Sequence, residues 1–593
     1  MFIRRYRRTK SGKEHLYWAL VESYRTARGP RQRIISYLGE LSEGERLGWA
    51  RLGQSLDHKA ESKARQLSFI EPEPDDEPVP ESIEIRVSGV RVERSRAFGE
   101  VYLGVMLWQM LGLDELMEER LPQGKEEIPW SLLACLLTVS RLVHPSSELH
   151  VADTWYEHTV LPELLGVAAS KIYHTRLYRT LDQILPLKSK IEEHLKNRFG
   201  ELFQPDFEIL LYDITSTYFE GECKLNPQAQ RGYSRDDRPD TKQVCIALVV
   251  TREGFPLGYE VFAGNRSDVT TVQEIVETIE AKYGKSGRVW VMDRGMVSEN
   301  NLDFLRERDG HYLVGTPKSA LRQFEQQLLE KDWNEVKEGI EVKLVASPDT
   351  DETFVLCRSQ SRIDKEKAIH QRFIERIETG LEKLKAGLAR GKKKRDPQAI
   401  ERQIGRLLQR NSRAAKAFKI EVEPAPDIPT GVRVNWNRDE DWQKWAELSE
   451  GCYMLRTNLS GYSPEELWEI YIQLTDVEEA FRIEKSDLKI RPIWHQLEDR
   501  VQAHILFSFL AYALWKTLQE WMNRNDLGRG VNTVLEVFSN LTANDIYLPT
   551  TEGREVHLCA ITQPDSAQRA VIERLGILIP ERIGRPNWNR KEV

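Results

Sequence analysis

Three carboxylates stand where a carboxylate is costly. Asp213 interrupts the apolar, β-branched run 208–219 (EILLYDITSTYF), whose composition predicts a central strand buried on both faces. Asp293 ends the run 288–293 (RVWVMD), a second predicted strand. Glu478 lies in 471–485 (YIQLTDVEEAFRIEK), which has no Gly or Pro and reads as one helix. At about 100° per residue, Leu474, Val477, Phe481 and Leu488 form an apolar arc, with Tyr471, Glu478, Arg482 and Lys485 along one edge. Glu484 falls on the opposite edge, and Glu479 points toward solvent. Taken singly, Asp213 is a loop-capping acid, Asp293 an N-cap, and the helix an amphipathic element laced by i,i+4 ion pairs. Two acids on neighbouring strands with a third on a cation-flanked helix read better as one metal site, because an unpaired buried carboxylate needs a cation. Hard oxygen ligands without a Cys/His cluster favour Mg²⁺ or Mn²⁺ over zinc.

The elements that must position these acids follow the order βββαβαβ. Strands are predicted at 208–219, 242–251 and 256–262, a helix from Asp268 to Tyr283, a strand at 288–293, a helix capped by Ser298, and a strand at 311–315. That order describes a mixed sheet with helices packed on it, and such sheets place ligands at the C-terminal ends of their strands.

These motifs resemble the DDE transposases of bacterial insertion sequences. Asp213 in LLYDITSTYFEG, Asp293 in VWVMDRG and Glu478 in YIQLTDVEEAFRIEK are similar to that family's triad. More narrowly, the helix resembles the branch with a Tyr-x2-Arg-x3-Glu-x6-Lys (YREK) signature: Tyr471, Glu478 and Lys485 fit, Leu474 holds the Arg position, and Arg482 lies one turn beyond Glu478. The likeness spans roughly 205–520, including GYEVFAGNRSDVTTV (258–272) and the apolar helix 501–518. It implies a ribonuclease H-like catalytic core, dependence on two Mg²⁺ or Mn²⁺ ions, and cleavage and strand transfer at inverted terminal repeats of double-stranded DNA. It also implies joining to a target DNA by a homodimer assembled on DNA. By the resemblance, Asp213 bridges both ions, Asp293 holds one and Glu478 the other. Lys485 and Arg482 contact phosphate, and Tyr471 bonds phosphate or stacks near a distorted base. The alternatives are a structure-selective metal-dependent nuclease and a DNA-binding remnant without joining activity. A glycosidase also pairs acids, but has no use for a cation-flanked Glu helix.

The rest of the chain divides around these elements. At 593 residues several domains are expected. The net charge of −8 argues against indiscriminate coating of nucleic acid. Residues 1–33 nevertheless carry ten Lys/Arg against two Glu, and read equally as a solvated basic hairpin or as a phosphate-contacting arm through Arg4, Arg5, Arg7 and Arg8. The expected organisation is multidomain α/β. A basic N-terminal region (1–70), an acidic Pro-rich linker (71–95) and a helical, possible DNA-binding domain (96–204) precede the ribonuclease H-like core (205–320). A β/helical insertion (321–460), the Glu helix and its successor (461–525) and a C-terminal region (526–593) follow. In the helical domain Arg141, His144, Lys171, His174, Arg176 and Arg179 could touch DNA, but no helix-turn-helix signature accompanies them. Glu478 lies 185 positions after Asp293, too far for a βα connection. Six scattered cysteines show neither zinc nor disulfide spacing, no apolar run spans a membrane, and the N-terminus lacks a secretory signal. A cytoplasmic protein, nucleoid-associated when on DNA, is the expectation.

Overall fold

The structure, a computed structural model, describes the backbone of residues 2–10, 13–26 and 29–39 and, with side chains, residues 79, 82–121, 124–285, 287–347, 350–528 and 530–588. It is a mixed α/β fold. The basic N-terminal segment forms an antiparallel meander of β1 (Phe2–Lys10), β2 (Lys13–Thr26) and β3 (Gly29–Gly39). The basic hairpin expected over residues 1–33 thus has a further strand before it, β1, which carries Arg4, Arg5, Arg7 and Arg8. Residues 71–78, 80 and 81 of the expected linker lie outside the described residues. The linker boundary at 95 is corrected, because Arg91–Ala97 is a strand, β4.

The predicted βββαβαβ order holds through β5 (Ile209–Tyr218), β6 (Gln243–Thr251), β7 (Pro256–Ala263), β8 (Val289–Met292) and β9 (His311–Thr316), with helices Val272–Tyr283 and Glu299–Arg306 between the later strands. The following strands are β10 (Asn334–Lys337), β11 (Ile340–Ala346), β12 (Thr353–Ser359), β13 (Phe418–Pro424), β14 (Val432–Arg438) and β15 (Cys452–Thr457). The central sheet has nine strands in the order β10-β11-β12-β15-β9-β8-β5-β6-β7. β5, β8 and β9 run parallel at its centre and every other pairing is antiparallel. The segment expected as a separate insertion is thus partly continuous with the core, since β10, β11, β12 and β15 extend its sheet. What stands apart is the helical pair Gln360–Arg390 and Pro397–Arg410 with the β13–β14 hairpin. They share their own apolar cluster around Ile377, Leu381, Ile404, Phe418 and Val432.

Helix Glu498–Arg524 is apolar almost all round, so it can only be satisfied by burial on every side. It packs against helices Trp130–Val143, Gly99–Met110 and His174–Ile184 and against β7, so the helical region and the core sheet share one apolar cluster. The C-terminal strands β16 (Thr542–Pro549), β17 (Glu555–Ile561) and β18 (Arg582–Trp588) recruit β4 into a four-stranded sheet. All six cysteines are buried and unpaired. Among the described residues no helix is long and apolar enough to cross a membrane.

One buried acid locks the added strands to the centre. Glu352, just before β12, accepts from Arg456 of β15 at 2.9 and 2.7 Å, from Arg306 at 2.7 Å, from the Tyr312 hydroxyl of β9, and from Thr350 at 2.7 Å. Burial pushes its carboxyl up, but the hydrogen bonds from Arg456, Tyr312, Thr350 and Arg306 override this and hold it at about 2. Its folded pKa is therefore depressed: the stabilisation is present above pH 4.5, the ordinary value, and is lost as pH falls toward 2. Glu352→Gln should destabilise the fold by about 2–4 kcal/mol at pH 7, because buried cations lose their partner. Denaturant titration should show the gap from the unaltered protein narrowing between pH 4.5 and pH 2.5.

Candidate active site

Strand alternation decides which way the acids face. On one side of the central strands Leu210, Tyr212, Trp290, Met292, Tyr312 and Val314 join a single apolar cluster. On the other, Ile209, Leu211, Val289, Val291 and Leu313 share a cluster with Leu474, Val477, Ala480 and Phe481 of the Glu478 helix. Asp213 and Asp293 continue the second set, so both fall on the face the helix covers. Parallel register pairs Tyr212 with Met292 and Met292 with Val314. The next position on each strand is Asp213, Asp293 and Gly315, a row of neighbours spaced by about 4.8 Å per strand.

The third acid arrives on a helix that is not one piece. Ser463 opens Pro464–Ile472 with a capping box to Glu466. A tight turn at Gln473, whose Oε1 accepts from Arg252 at 2.9 Å, separates it from Leu474–Arg482, and a π-turn, Ile483–Asp487, follows. Leu474, Val477, Ala480 and Phe481 are buried, Leu474–Arg482 packs on β5, and Glu478 is exposed toward the acid row.

Asp213 is half-buried, while Asp293 and Glu478 are exposed. Burial pushes the Asp213 carboxyl up to about 7. The negative charges of Asp293 and Glu478 push the same way, whereas the Ile214 N–H and Arg235 pull it down. Burial and two neighbouring negative charges thus make an ionised Asp213 costly, and carboxylate oxygens are donors of the kind a hard divalent ion takes. Tyr471 completes the wall. Its hydroxyl lies 3.5 Å from Asp293 Oδ1, and a Cβ added at Gly315 would come within 2.5 Å of it.

The structure corrects several expectations. Tyr471, expected to touch DNA, is turned inward against Asp293 and Gly315, and burial raises its pKa. The π-turn rotates Glu484 into the interior, where it is 4 % exposed and burial pushes its carboxyl up to about 8 against the pull of Lys485. Glu479, as expected, is exposed, and binds Arg482 at 2.8 Å. Arg482 is exposed and also pairs with Asp487 at 3.2 Å, whereas Lys485 is largely buried against Asp236 at 2.9 Å. Arg141, a candidate DNA contact, is buried. It lies at 3.4 Å from both the Lys489 carbonyl and His504 Nδ1. Arg4, Arg5, Arg7 and Arg8 lie on β1, outside the described side chains.

Long-range partners were invisible in the sequence. Arg235 reaches Asp268 beside the acid row, Asp236 binds Lys485 and Arg491, and Gly315 makes room for Tyr471. Among the described residues, Glu148, His495 and His504 bring ligand atoms within 4.8 Å of one another, a Glu/His group that positions 148, 495 and 504 gave no reason to expect. His504 already donates from Nε2 to the Ile490 carbonyl at 3.0 Å, and its Nδ1 faces the Arg141 guanidinium. Glu148 bonds His495 at 3.2 Å, and with Arg141 supplying positive charge this group is a satisfied buried network.

Comparison with known proteins places these features. The family model described as "Transposase DDE domain" matches residues 204–514, more than half of the chain, and that described as "IS1634 family transposase, N-terminal domain" matches residues 3–74. No curated protein sequence matches. A cryo-EM structure of a piggyBac transposase synaptic complex with hairpin DNA is similar at 9 % identity and a TM-score of 0.34, over 77 % of this chain and 82 % of that chain, too slight a likeness to carry an argument.

The fit of Tyr471 over Gly315 is testable without any activity. Gly315→Ala should destabilise the protein by about 1–3 kcal/mol through overpacking. Adding Tyr471→Phe, which removes the clashing oxygen, should recover most of that loss in thermal melts. Additive losses in the double variant would contradict the packing described.

Proposed function

This chain belongs to the DDE transposase family of bacterial insertion sequences, and from that premise we propose that Asp213, Asp293 and Glu478 are its catalytic triad, acting on DNA. The supporting observation is that Asp213 and Asp293 directly follow the paired residues Tyr212 and Met292 of two parallel strands, at the parity of the face on which the Glu478 helix packs. The mixed sheet with β5, β8 and β9 at its centre is read as a ribonuclease H-like core, and the signature helix as that of the YREK branch. The substrate is double-stranded DNA with inverted terminal repeats, joined to a target DNA by a homodimer assembled on it. The basic β1–β3 meander supplies phosphate contacts through Arg4, Arg5, Arg7 and Arg8. The expected domain divisions are kept as part of this reading, except where strands cross them.

The three carboxylates would hold two Mg²⁺ or Mn²⁺ ions. When bound, such ions polarise the phosphodiester and favour ionisation of the attacking water or 3′-hydroxyl. The chain's own contribution is placement. The parallel strands fix the Asp213 and Asp293 backbones, and the apolar stripe of the helix fixes Glu478. Tyr471, a positioning residue, limits where the Asp293 carboxylate can turn. Arg482 offers an exposed fork for phosphate, and Lys485 a point charge that Asp236 pairs in the free protein. In-line attack breaks the bond to the leaving oxygen, and the same arrangement lets the freed 3′-hydroxyl attack a target phosphodiester.

Glu478→Gln keeps size and hydrogen bonding but removes the charge. Cleavage of terminal-repeat DNA should fall by roughly two orders of magnitude or more while DNA binding persists, and Asp213→Asn and Asp293→Asn should match it without further loss in combination. Glu479→Gln, which loses only an exposed ion pair, should change stability by under about 1 kcal/mol and leave cleavage near normal. Gel assays with Mg²⁺ or with EDTA check both statements. Full activity of Glu478→Gln, or full activity in EDTA, would refute the assignment.

A further inference from the structure

The connection between β5 and β6, residues 219–242, places two adjacent residues of opposite charge on the site. Arg235 donates its backbone N–H to Ser216 Oγ on β5 at 3.2 Å and its guanidinium to Asp268. Asp236 turns the other way, and its Oδ1 takes both Lys485 Nζ at 2.9 Å and Arg491 Nη1. The Asp236 side chain is only 4 % exposed, and Lys485 11 %. The second oxygen, Oδ2, is buried without a hydrogen-bond partner. Two cations therefore converge on one oxygen while its twin is idle, a poor match for a planar carboxylate and a cost of the kind buried acceptors seldom carry.

The cations are mounted on firm backbone. Lys485 sits in the π-turn, closed by the Leu488 N–H to the Ile483 carbonyl and the Ile490 N–H to the Glu484 carbonyl, each at 2.9 Å. Two residues after Arg491, the Ile493 N–H bonds the Tyr218 carbonyl at the end of β5 at 2.9 Å. The acid, by contrast, comes from an irregular connection whose neighbouring Tyr233 is 82 % exposed. Burial pulls the Lys485 ammonium's pKa down, Asp236 pushes it up, and Arg491 and Arg235 pull it down again. Without Asp236, Lys485 and Arg491 are left close together with no anion between them.

We propose that Lys485 and Arg491 form a seat for a backbone phosphate of duplex DNA, occupied in the free protein by the Asp236 carboxylate. A phosphodiester carries a full negative charge and presents oxygens in more than one plane, so each cation can take its own acceptor. Arg491 thereby joins Lys485 as a DNA contact. Binding exchanges one anion for another as the Asp236 carboxylate swings away. The proposal rests on the reading that DNA is the substrate.

A salt bridge that only holds the fold gives the same sign of effect when either partner is removed, whereas an occupied seat gives opposite signs. Fluorescence anisotropy of a short labelled duplex, measured across salt concentrations, separates the two. Asp236→Asn should tighten binding about tenfold, and Arg491→Gln should weaken it about tenfold and lower the slope of log K against log salt by about 1. Changes of the same sign, or none, would overturn the seat. If Asp236→Asn gives no cooperative melt, Arg491→Gln decides alone, and an unchanged salt slope overturns the proposal. Cleavage scored in the same samples tests the underlying reading. A wild type that binds and cuts while both variants bind as it does removes the seat only, and one that neither binds nor cuts removes both.

Discussion

A half-buried carboxylate, Asp213, held beside two further acids is the constraint around which this site is built. Asp213 and Asp293 face the same way because they sit at the same parity on parallel strands in register, and Glu478 meets them because its helix buries its stripe on that face. Burial pushes the Asp213 carboxyl up to about 7, with the charges of Asp293 and Glu478 adding to it and the Ile214 N–H and Arg235 offsetting part of it. A fold tolerates such a site only if burial elsewhere is ample. Here the Glu498–Arg524 helix, wrapped on all sides, and the strands that widen the sheet provide it. Close approach is part of the same constraint. Gly315 is needed in the row because the Tyr471 hydroxyl occupies the space a Cβ would fill.

Much of this was legible because it rests on local pattern. The apolar, β-branched run around Asp213 and the short run ending at Asp293 are strands for the reasons their composition suggests, and their order was enough to expect a mixed sheet. The Glu478 helix shows where such reasoning stops. A uniform 100° per residue keeps Glu484 on an edge, but the π-turn adds a residue to one turn and swings that side chain into the core. No Gly or Pro marks the change. Its cause is tertiary, the packing of this turn against Glu498–Arg524.

Long-range pairing was the other blind spot. β4 belongs with strands that follow residue 540, and β10, β11, β12 and β15 widen a sheet from which they were expected to stand apart. Strand composition says that a strand exists, not which edge it joins. The same holds for charges. Arg141 looked like a surface cation in a helical pattern, yet it is buried beside His504. Lys485 looked free along a helix edge, yet Asp236, far away in sequence, holds it. Each of these partners is set by topology, so spacing within one element could not reveal them.

Among the described residues, the acid row and the Glu148–His495–His504 network both have the donor types for a divalent metal, and the triad assignment depends on the first. Local oxidative cutting distinguishes them. The protein is loaded with Fe²⁺ in place of Mg²⁺ and exposed to peroxide, and the resulting backbone breaks are mapped by mass spectrometry. Breaks clustered beside residues 213, 293 and 478, suppressed by excess Mg²⁺, are the result predicted. Breaks confined to the neighbourhoods of 148, 495 and 504, or no localised cutting at all, would contradict the claim that the three acids are one metal-holding site.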